Sequence, residues 1–292
     1  MTNDEAKALF KKNIQSVEIG THNYCNRTCT FCPLSVEGVN RRNFKNTIFM
    51  KDEMYENIMK QLSEINFAGR LDFSRYHEPT SHKKYILEKI KIAKRYLPSV
   101  KISLNTNSDY INKEYHQQLV EAGVDSFAFQ AYMKNGANKF DEDEVFKRIN
   151  YITDRLGAPR IDKEQHRNKE WIIYKLPERF KGKIHARNYW VNGVNRAGTV
   201  LDTNYTRTKP CTSMNKGVYI DYNGSMTACC DMLTPELHSK WEVGNLEKQP
   251  NIFLNYTSKF YTKFRERITK AEWYPNSPCI KCKRDVRGSQ AR

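Results

Sequence analysis

With 292 residues, 39% hydrophobic and 28% charged, the chain has material for one large domain and a small appendage, and its composition excludes a disordered or fibrous protein. No apolar run approaches the length of a membrane span, and Met1 to Gln15 lacks the apolar core of a secretory signal, so a cytoplasmic protein with no membrane partner is expected. A formal net charge of +16 draws anions such as phosphorylated metabolites, but much of the excess is lysine on helix faces (Lys83, Lys84, Lys89, Lys91, Lys94), and no nucleic-acid-binding motif accompanies it, so nucleic acid is not expected as a partner.

In chain order, alternating apolar residues over 16–21 predict a short strand that opens into a cysteine-rich loop. A helix follows from about Asp52, with Met54, Ile58, Leu62 and Ile65 on one face, then a strand over 70–74. A second helix runs from about His82, turns Ile86, Ile90, Ala93 and Leu97 inward and stops at Pro98. Residues 100–104 predict a strand, 110–122 a helix ended by Gly123, 126–132 a strand and 141–156 a helix. Strands over 171–176 and 184–190 extend the alternation to six, the pattern of parallel βαβ units. After Gly198 the rhythm changes: 217–222, Asn223-Gly224 and 225–230 predict a β-hairpin closed by a type I′ turn, and a boundary is expected near 199–210.

The eight cysteines fall in two groups, which in a chain without an export signal points to metal before disulfides. Cys25, Cys29 and Cys32 form a CxxxCxxC loop after the first strand. Three thiolates on so short a loop can hold three irons of a cubane cluster and leave the fourth open to an exchangeable ligand. The alternative is a structural zinc site, which needs a fourth ligand such as His22.

This loop after the first strand of a βα series resembles the radical S-adenosylmethionine (SAM) superfamily. The resemblance implies that SAM chelates the open iron through its amino and carboxylate groups, and that reductive cleavage yields a 5′-deoxyadenosyl radical that abstracts hydrogen from an unactivated carbon. It also implies that Phe31 packs near the adenine, that Tyr76-His77-Glu78-Pro79 stands for the family's Gly-Glu-Pro motif at the SAM amino group with His77 in the usual glycine's place, and that Asn105, Asn107 and Ser108, in the segment after the third strand, face the ribose. Arg187 or Arg196 would meet the SAM carboxylate or an anionic substrate. These segments fall at the carboxyl ends of predicted parallel strands, where barrel loops gather active sites.

The second group, Cys211, Gly224-x4-Cys229, Cys279 and Cys282, resembles the twitch domain, a shortened SPASM domain, which implies that these four cysteines hold one auxiliary [4Fe-4S] cluster. The alternative is a zinc ribbon, which normally shows a pair of CxxC knuckles where this second group has one. Cys230 adjoins Cys229 on a predicted strand and so faces the other way, as a buried thiol or as a hydrogen-atom donor.

The expected fold class is therefore α/β: a partial (β/α)6 barrel over 1–198 and a small C-terminal iron-sulfur domain with a β-hairpin over 199–292. The resemblance implies two [4Fe-4S] clusters and SAM as cofactors, a reductant such as flavodoxin or ferredoxin, and oxidation or epimerisation of a small polar substrate of sugar or aminocyclitol type. The alternatives are a maturase of a ribosomally made peptide and a non-catalytic iron-sulfur or zinc protein. Anaerobic reconstitution with iron counting checks the cysteine grouping: the unaltered protein is expected to hold about eight irons and a variant with Cys25, Cys29 and Cys32 changed to alanine about four, whereas zinc at the late cysteines would sink the second assignment.

Overall fold

The computed structural model describes residues 1–39, 43–166 and 169–284. Strands β1 (Ser16–Ile19), β2 (Arg70–Phe73), β3 (Lys101–Thr106), β4 (Ser126–Gln130), β5 (Trp171–Lys175), β6 (Gly182–Arg187), β7 (Gly217–Ile220), β8 (Ser225–Thr227) and β9 (Glu242–Asn245) form, among the described residues, one nine-stranded sheet in the order β5-β6-β4-β3-β2-β1-β7-β8-β9. All neighbours from β6 to β7 pair in parallel, while β5–β6, β7–β8 and β8–β9 are antiparallel. This is the α/β class with a largely parallel sheet that the alternation predicted.

Helices α1 (Asn3–Asn13), α2 (Asp52–Glu64), α3 (Lys83–Tyr96), α4 (Lys113–Ala122) and α5 (Glu142–Leu156) are each delimited by local chemistry. Helix α1 starts with a reciprocal capping box between Thr2 and Glu5 and buries Ala6 and Phe10. The Thr-x-x-Glu spacing was in plain view within a segment otherwise read only as polar. Asn112 caps α4 at the Tyr115 amide, so this helix begins at Lys113 and not at Tyr110; Gly123 (φ 119°) and Gly157 (φ 66°) end α4 and α5 in the left-handed region.

Three further details differ from the sequence reading. The strand over 171–176, fifth of the six predicted, is not a parallel member: it pairs Trp171 with Arg187 and Lys175 with Lys183, running back along β6 as an antiparallel edge. Strand β6 stops at Arg187 because Asn188 turns its Oδ1 onto the amides of Trp190 and Val191 and starts the one-turn helix α6 (Tyr189–Asn192). In the hairpin only Gly224 has a positive φ (79°), and the Gly224 amide donates to the Asp221 carbonyl, so the connection is a three-residue loop with glycine at its left-handed position and not a two-residue type I′ turn.

Lys89 is also corrected: it is 1% exposed, stacked near Tyr55 and Tyr85, with its ammonium on Asp52 (2.6 Å). Its position, three residues after Ile86 and one before Ile90, puts it on the buried stripe of α3.

The expected boundary at 199–210 lies in a stretch without helix or strand, yet hydrogen bonding crosses it: β7 adds to β1, with Val17 opposite Val218. Helix α7 (Ile252–Tyr256) covers α1, whose Phe10 meets Phe253 and Tyr256 edge-on at 5.2 and 5.3 Å between ring centroids. Helix α8 (Lys259–Thr269) buries Tyr261, Phe264 and Ile268 behind α7 and β9.

At the carboxyl ends of β2 and β7, Arg75 donates to both carboxylate oxygens of Asp221 (2.9 and 3.0 Å) and to the Met232 carbonyl (2.8 Å), while Thr234 donates its hydroxyl to the same carboxylate (2.6 Å). Removing one partner of a buried ion pair strands the other charge. Asp221→Ala is expected to lower unfolding stability by about 3–5 kcal/mol in urea titration, and a combined Arg75→Met, Asp221→Leu change is expected to regain most of that loss. A double variant no more stable than the single one would refute this account of the junction.

Candidate functional site

The CxxxCxxC loop leaves β1 and is held from outside by one carboxylate. Asp109, just beyond β3, receives Arg27 through Nε (2.7 Å) and Nη2 (2.8 Å), Asn26 through Nδ2 (2.7 Å), and Arg148 of α5. Arg27 also donates to the Met133 carbonyl (2.7 Å), and Thr30 to the Ala137 carbonyl (2.7 Å), so the loop is pinned to segments that follow both β3 and β4. Burial would raise the Asp109 carboxyl, but hydrogen bonds and charge from Arg27, with Arg148 and Asn26 behind it, hold it below its ordinary value.

Glu78 ties the next two strand ends together. Its Oε2 accepts from the Asn107 amide (2.7 Å), and its Oε1 accepts from the Thr80 amide (3.0 Å), the Thr80 hydroxyl and the Thr106 hydroxyl (2.7 Å). Burial lifts this carboxyl above its ordinary value, although Thr80, Asn107 and Thr106 pull the other way. His77 lies buried between Thr21 (3.3 Å) and the Arg75 carbonyl (3.3 Å), edge-on to His22 at 4.6 Å. His22 is turned to the Tyr24 amide (3.1 Å) and Ser81 (3.5 Å) and does not line the cleft beside the three cysteines.

That cleft, of about 240 Å³, gathers Cys25, Cys29, Cys32, Phe31, His77, Glu78, Asn105, Asn107, Arg196 and Cys230. Phe31 stacks flat on Tyr189 (3.7 Å, 9°), Asn105 accepts from Gln130 (2.7 Å), and Asn107 donates to Asn26 (2.8 Å). Ser108 stands apart: a left-handed turn residue (φ 66°), buried and absent from the cleft wall, it turns its hydroxyl to the Thr106 carbonyl (3.4 Å). Arg187 lines an adjoining cavity and not the cleft itself.

The cleft wall carries three buried groups without a hydrogen-bond partner: Arg75 Nη1, Tyr76 Oη and Arg196 Nε. Buried polar atoms are ordinarily paired, so these are places for a ligand's polar groups. Burial pushes the Cys25 thiol well above its ordinary value, with the Glu78 carboxylate adding to it, and lifts Cys29 to about 12. Cys25 and Cys29 are thus thiols that the protein alone keeps neutral, and with Cys32 on the same cleft wall they form a donor set that a strongly cationic centre would turn into thiolates. Among the described residues, no three His, Cys, Asp or Glu side chains close in on the point-like site of a single ion. A cubane spreads its ligand sulfurs over the corners of a larger body, and the residues fit that group.

The second cysteine set does not itself line the cleft, which it approaches through Cys230. Cys211, Cys229, Cys279 and Cys282 are all buried, and electrostatic contact links Cys229 to Cys282 and Cys279, and Cys279 to Cys211. The two adjacent cysteines do separate as expected, although β8 ends at Thr227 and both sit in the turn after it: Cys229 joins the buried set and Cys230 faces the cleft. Burial raises Cys230 to about 11.

Two residues that organise this half gave no motif to read. Arg207, 2% exposed, spends its guanidinium on the carbonyls of Lys209 (2.7 Å), Pro210 (2.8 Å), Cys282 (3.1 Å) and Arg284 (2.5 Å), holding the chain on both sides of the thiols. Asp231, fully buried, takes Arg196 from the cleft side (3.1 Å) and Arg284 from beside the last cysteine (2.8 Å). Burial would raise Asp231, but these two guanidiniums hold it well below the ordinary carboxylate range. Its place next to Cys230 was the available clue.

Comparison with known proteins agrees with this geometry. Residues 19–131 match the profile of the radical SAM superfamily, and residues 211–283 match that of an iron-sulfur cluster-binding domain, SPASM. The chain thus joins a radical SAM domain to a SPASM-type domain, whose cofactors are SAM and iron-sulfur. It is 34% identical over 116 residues to the S-adenosyl-L-methionine-dependent 2-deoxy-scyllo-inosamine dehydrogenase of Niallia circulans, a match spanning 40% of this chain and 44% of that enzyme. Its fold is similar to that of BtrN solved with AdoMet and 2-DOIA (TM-score 0.66, 24% identity, 92% of this chain and 93% of the other) and of anSMEcpe with bound AdoMet (TM-score 0.54, 14% identity, 89% and 84%).

Because the folded value of Asp109 is depressed, the stability it contributes is present above the unfolded carboxylate range and is lost as pH falls through the folded value. Asp109→Asn is expected to cost about 2 kcal/mol at neutral pH, and the gap between variant and parent is expected to narrow below about pH 4. Paired urea titrations across that range measure it; a gap independent of pH would place the effect elsewhere.

Proposed function

We propose that this protein is a radical SAM oxidoreductase that dehydrogenates a small polar substrate of sugar or aminocyclitol kind, using two [4Fe-4S] clusters held by Cys25, Cys29 and Cys32 and by Cys211, Cys229, Cys279 and Cys282. The observation that carries the reading is one cleft with the three-cysteine loop on its wall and Cys230, the chain neighbour of Cys229, also lining it. The relative's printed activity, dehydrogenation of an aminocyclitol, agrees with it. When bound, SAM and a cluster held by Cys25, Cys29 and Cys32 would supply the radical chemistry that removes a hydrogen atom from substrate carbon, and a cluster held by the later cysteines would offer a place for the electron that leaves with a proton to complete the two-electron oxidation.

The chain's own residues do the positioning. Phe31 on Tyr189 offers a flat apolar surface for an adenine, and Asn105 with Asn107 offers amides to a ribose. Glu78 acts as a positioning residue: its four hydrogen bonds are spent on holding the segment after β3 against the Pro79 turn, and the ligand's amino group is left to the backbone nearby. Tyr76 and Arg196 bring unpaired polar atoms to the substrate side, with Arg196 charge-balanced by Asp231. Donors fixed in advance in a water-poor cleft orient a polyhydroxylated ring without reorganisation when it binds.

Cys230 favours a second reading. A thiol on the cleft wall is placed to return a hydrogen atom, which would give epimerisation in place of oxidation. Reductant-driven turnover in deuterated water separates the two. Dehydrogenation is expected to give 5′-deoxyadenosine with a product lighter by a pair of hydrogens and free of deuterium at the reacting carbon, undiminished in Cys230→Ser. A product of unchanged composition carrying deuterium, lost in Cys230→Ser, would establish epimerisation, and absence of SAM cleavage in reconstituted protein would end both.

A further inference from the structure

Beside the cleft, and sharing Asn105, Tyr132 and Arg196 with it, lies a cavity of about 300 Å³ between β4, β5 and β6. Its chemistry follows from strand register. Alternate residues of a strand share a face, so Lys183, His185 and Arg187 of β6 stand in one row. Trp171 and Ile173 of β5 are paired with Arg187 and His185, and Gln130 of β4 with His185, and all of these line the cavity.

The row is cationic and has no counter-charge. Among the described residues no carboxylate lines the cavity, and Trp171 Nε1, His185 Nε2, Arg187 Nε and Arg196 Nε are buried there without a hydrogen-bond partner. Three unpaired donors and an unpaired ring nitrogen around one space are uncommon in a folded chain, where such groups are nearly always satisfied. Other arginines of the chain have their guanidiniums engaged, Arg27 and Arg148 on Asp109, Arg75 on Asp221, Arg196 and Arg284 on Asp231, and Arg207 on four backbone carbonyls. Arg187 instead lies over two rings, Trp171 (5.3 Å) and Tyr189 (4.5 Å), which fixes its plane and leaves its charge uncompensated. Burial, then Lys183 and Arg187, push His185 down to about 4, so it remains neutral with the cavity's positive field around it.

We propose that this cavity is an oxyanion subsite for the substrate, taking a phosphate, sulfate or carboxylate group through Trp171, Lys183, His185 and Arg187 while the reacting carbon lies in the adjoining cleft. A guanidinium, an ammonium and an indole N–H supply donors and no acceptors, and His185 adds a donor in the tautomer that carries its proton on Nε2, the complement of an oxyanion and a poor match for an amine. The assignment to substrate rests on the proposed function given above, in which SAM would bind in the cleft beside Cys25, Cys29 and Cys32. The substrate class then narrows to polar molecules bearing an anionic substituent.

The test uses the reconstituted protein with radiolabelled inorganic phosphate as probe, in equilibrium dialysis with and without saturating SAM, for the parent, Lys183→Gln, Arg187→Gln and Arg187→Lys. Phosphate and SAM are expected to bind together; each glutamine variant is expected to weaken phosphate by about tenfold or more while moving SAM affinity by less than about threefold, with Arg187→Lys regaining part of the loss. Iron content and melting temperature equal to the parent's identify folded variants, and the lysine variant keeps the comparison valid should a glutamine variant fail to fold. Phosphate that binds no better to the parent than to the variants overturns the subsite. Phosphate displaced by SAM, with the variants weakening SAM in step, overturns it in favour of the SAM carboxylate. Phosphate binding that follows the variants in a protein that never cleaves SAM upholds the subsite and removes the radical reading alone.

Discussion

The buried pairing of Arg75 with Asp221 is the constraint on which the arrangement depends. It forms where β1, β2 and β7 end together, and the space around it is so limited that a side chain at Gly20 would stand 3.0 Å from the Arg75 Cβ. Glycine is favoured there by close approach and not by backbone angle. Two full charges placed in so dry a position persist only with near-complete hydrogen bonding, which Thr234, Thr227 and the Met232 carbonyl provide. The geometry of that network fixes the distance between the Tyr76 to Pro79 turn and the turn that carries Cys229 and Cys230, and so the width of the cleft.

The same device recurs at each wall. Asp109 gathers three segments around the first cysteine loop, Glu78 locks two strand ends to each other, and Asp231 is shared by a guanidinium of the cleft and one beside the last cysteine. The chain builds a polar cavity from single buried or half-buried carboxylates, each assigned to cations or amides from separate segments. A carboxylate accepts several hydrogen bonds at once, which lets one side chain set the relative position of several loops.

Much of this was legible before any coordinates. The cysteine spacing, the helix-strand alternation and the hairpin are local patterns, and local patterns survive in sequence. The partners of the buried carboxylates do not, because Arg75 and Asp221 stand 146 positions apart and nothing in either neighbourhood names the other. The reversal of β5 was hidden for a related reason: an apolar strand pattern states which face is buried and says nothing of direction. Lys89 was misjudged despite a visible signal, since it occupied a stripe position while its charge suggested solvent. Ser108 was read from its hydroxyl, whereas its left-handed backbone decided where that hydroxyl points.

The addition of β7 to β1 bears on how such proteins diversify. A second domain joined by a linker can be exchanged as a cassette, whereas here the strand that opens the first cysteine loop also has the later hairpin as its hydrogen-bonded neighbour. A chimera cut near residue 199 would separate a strand from its partner and a buried charge from its counter-ion. Recombination among relatives therefore has a higher barrier at that point than the linear order of the segments suggests, and new specificities are more readily gained by changing side chains along β5 and β6, at the far edge of the sheet, than by swapping halves.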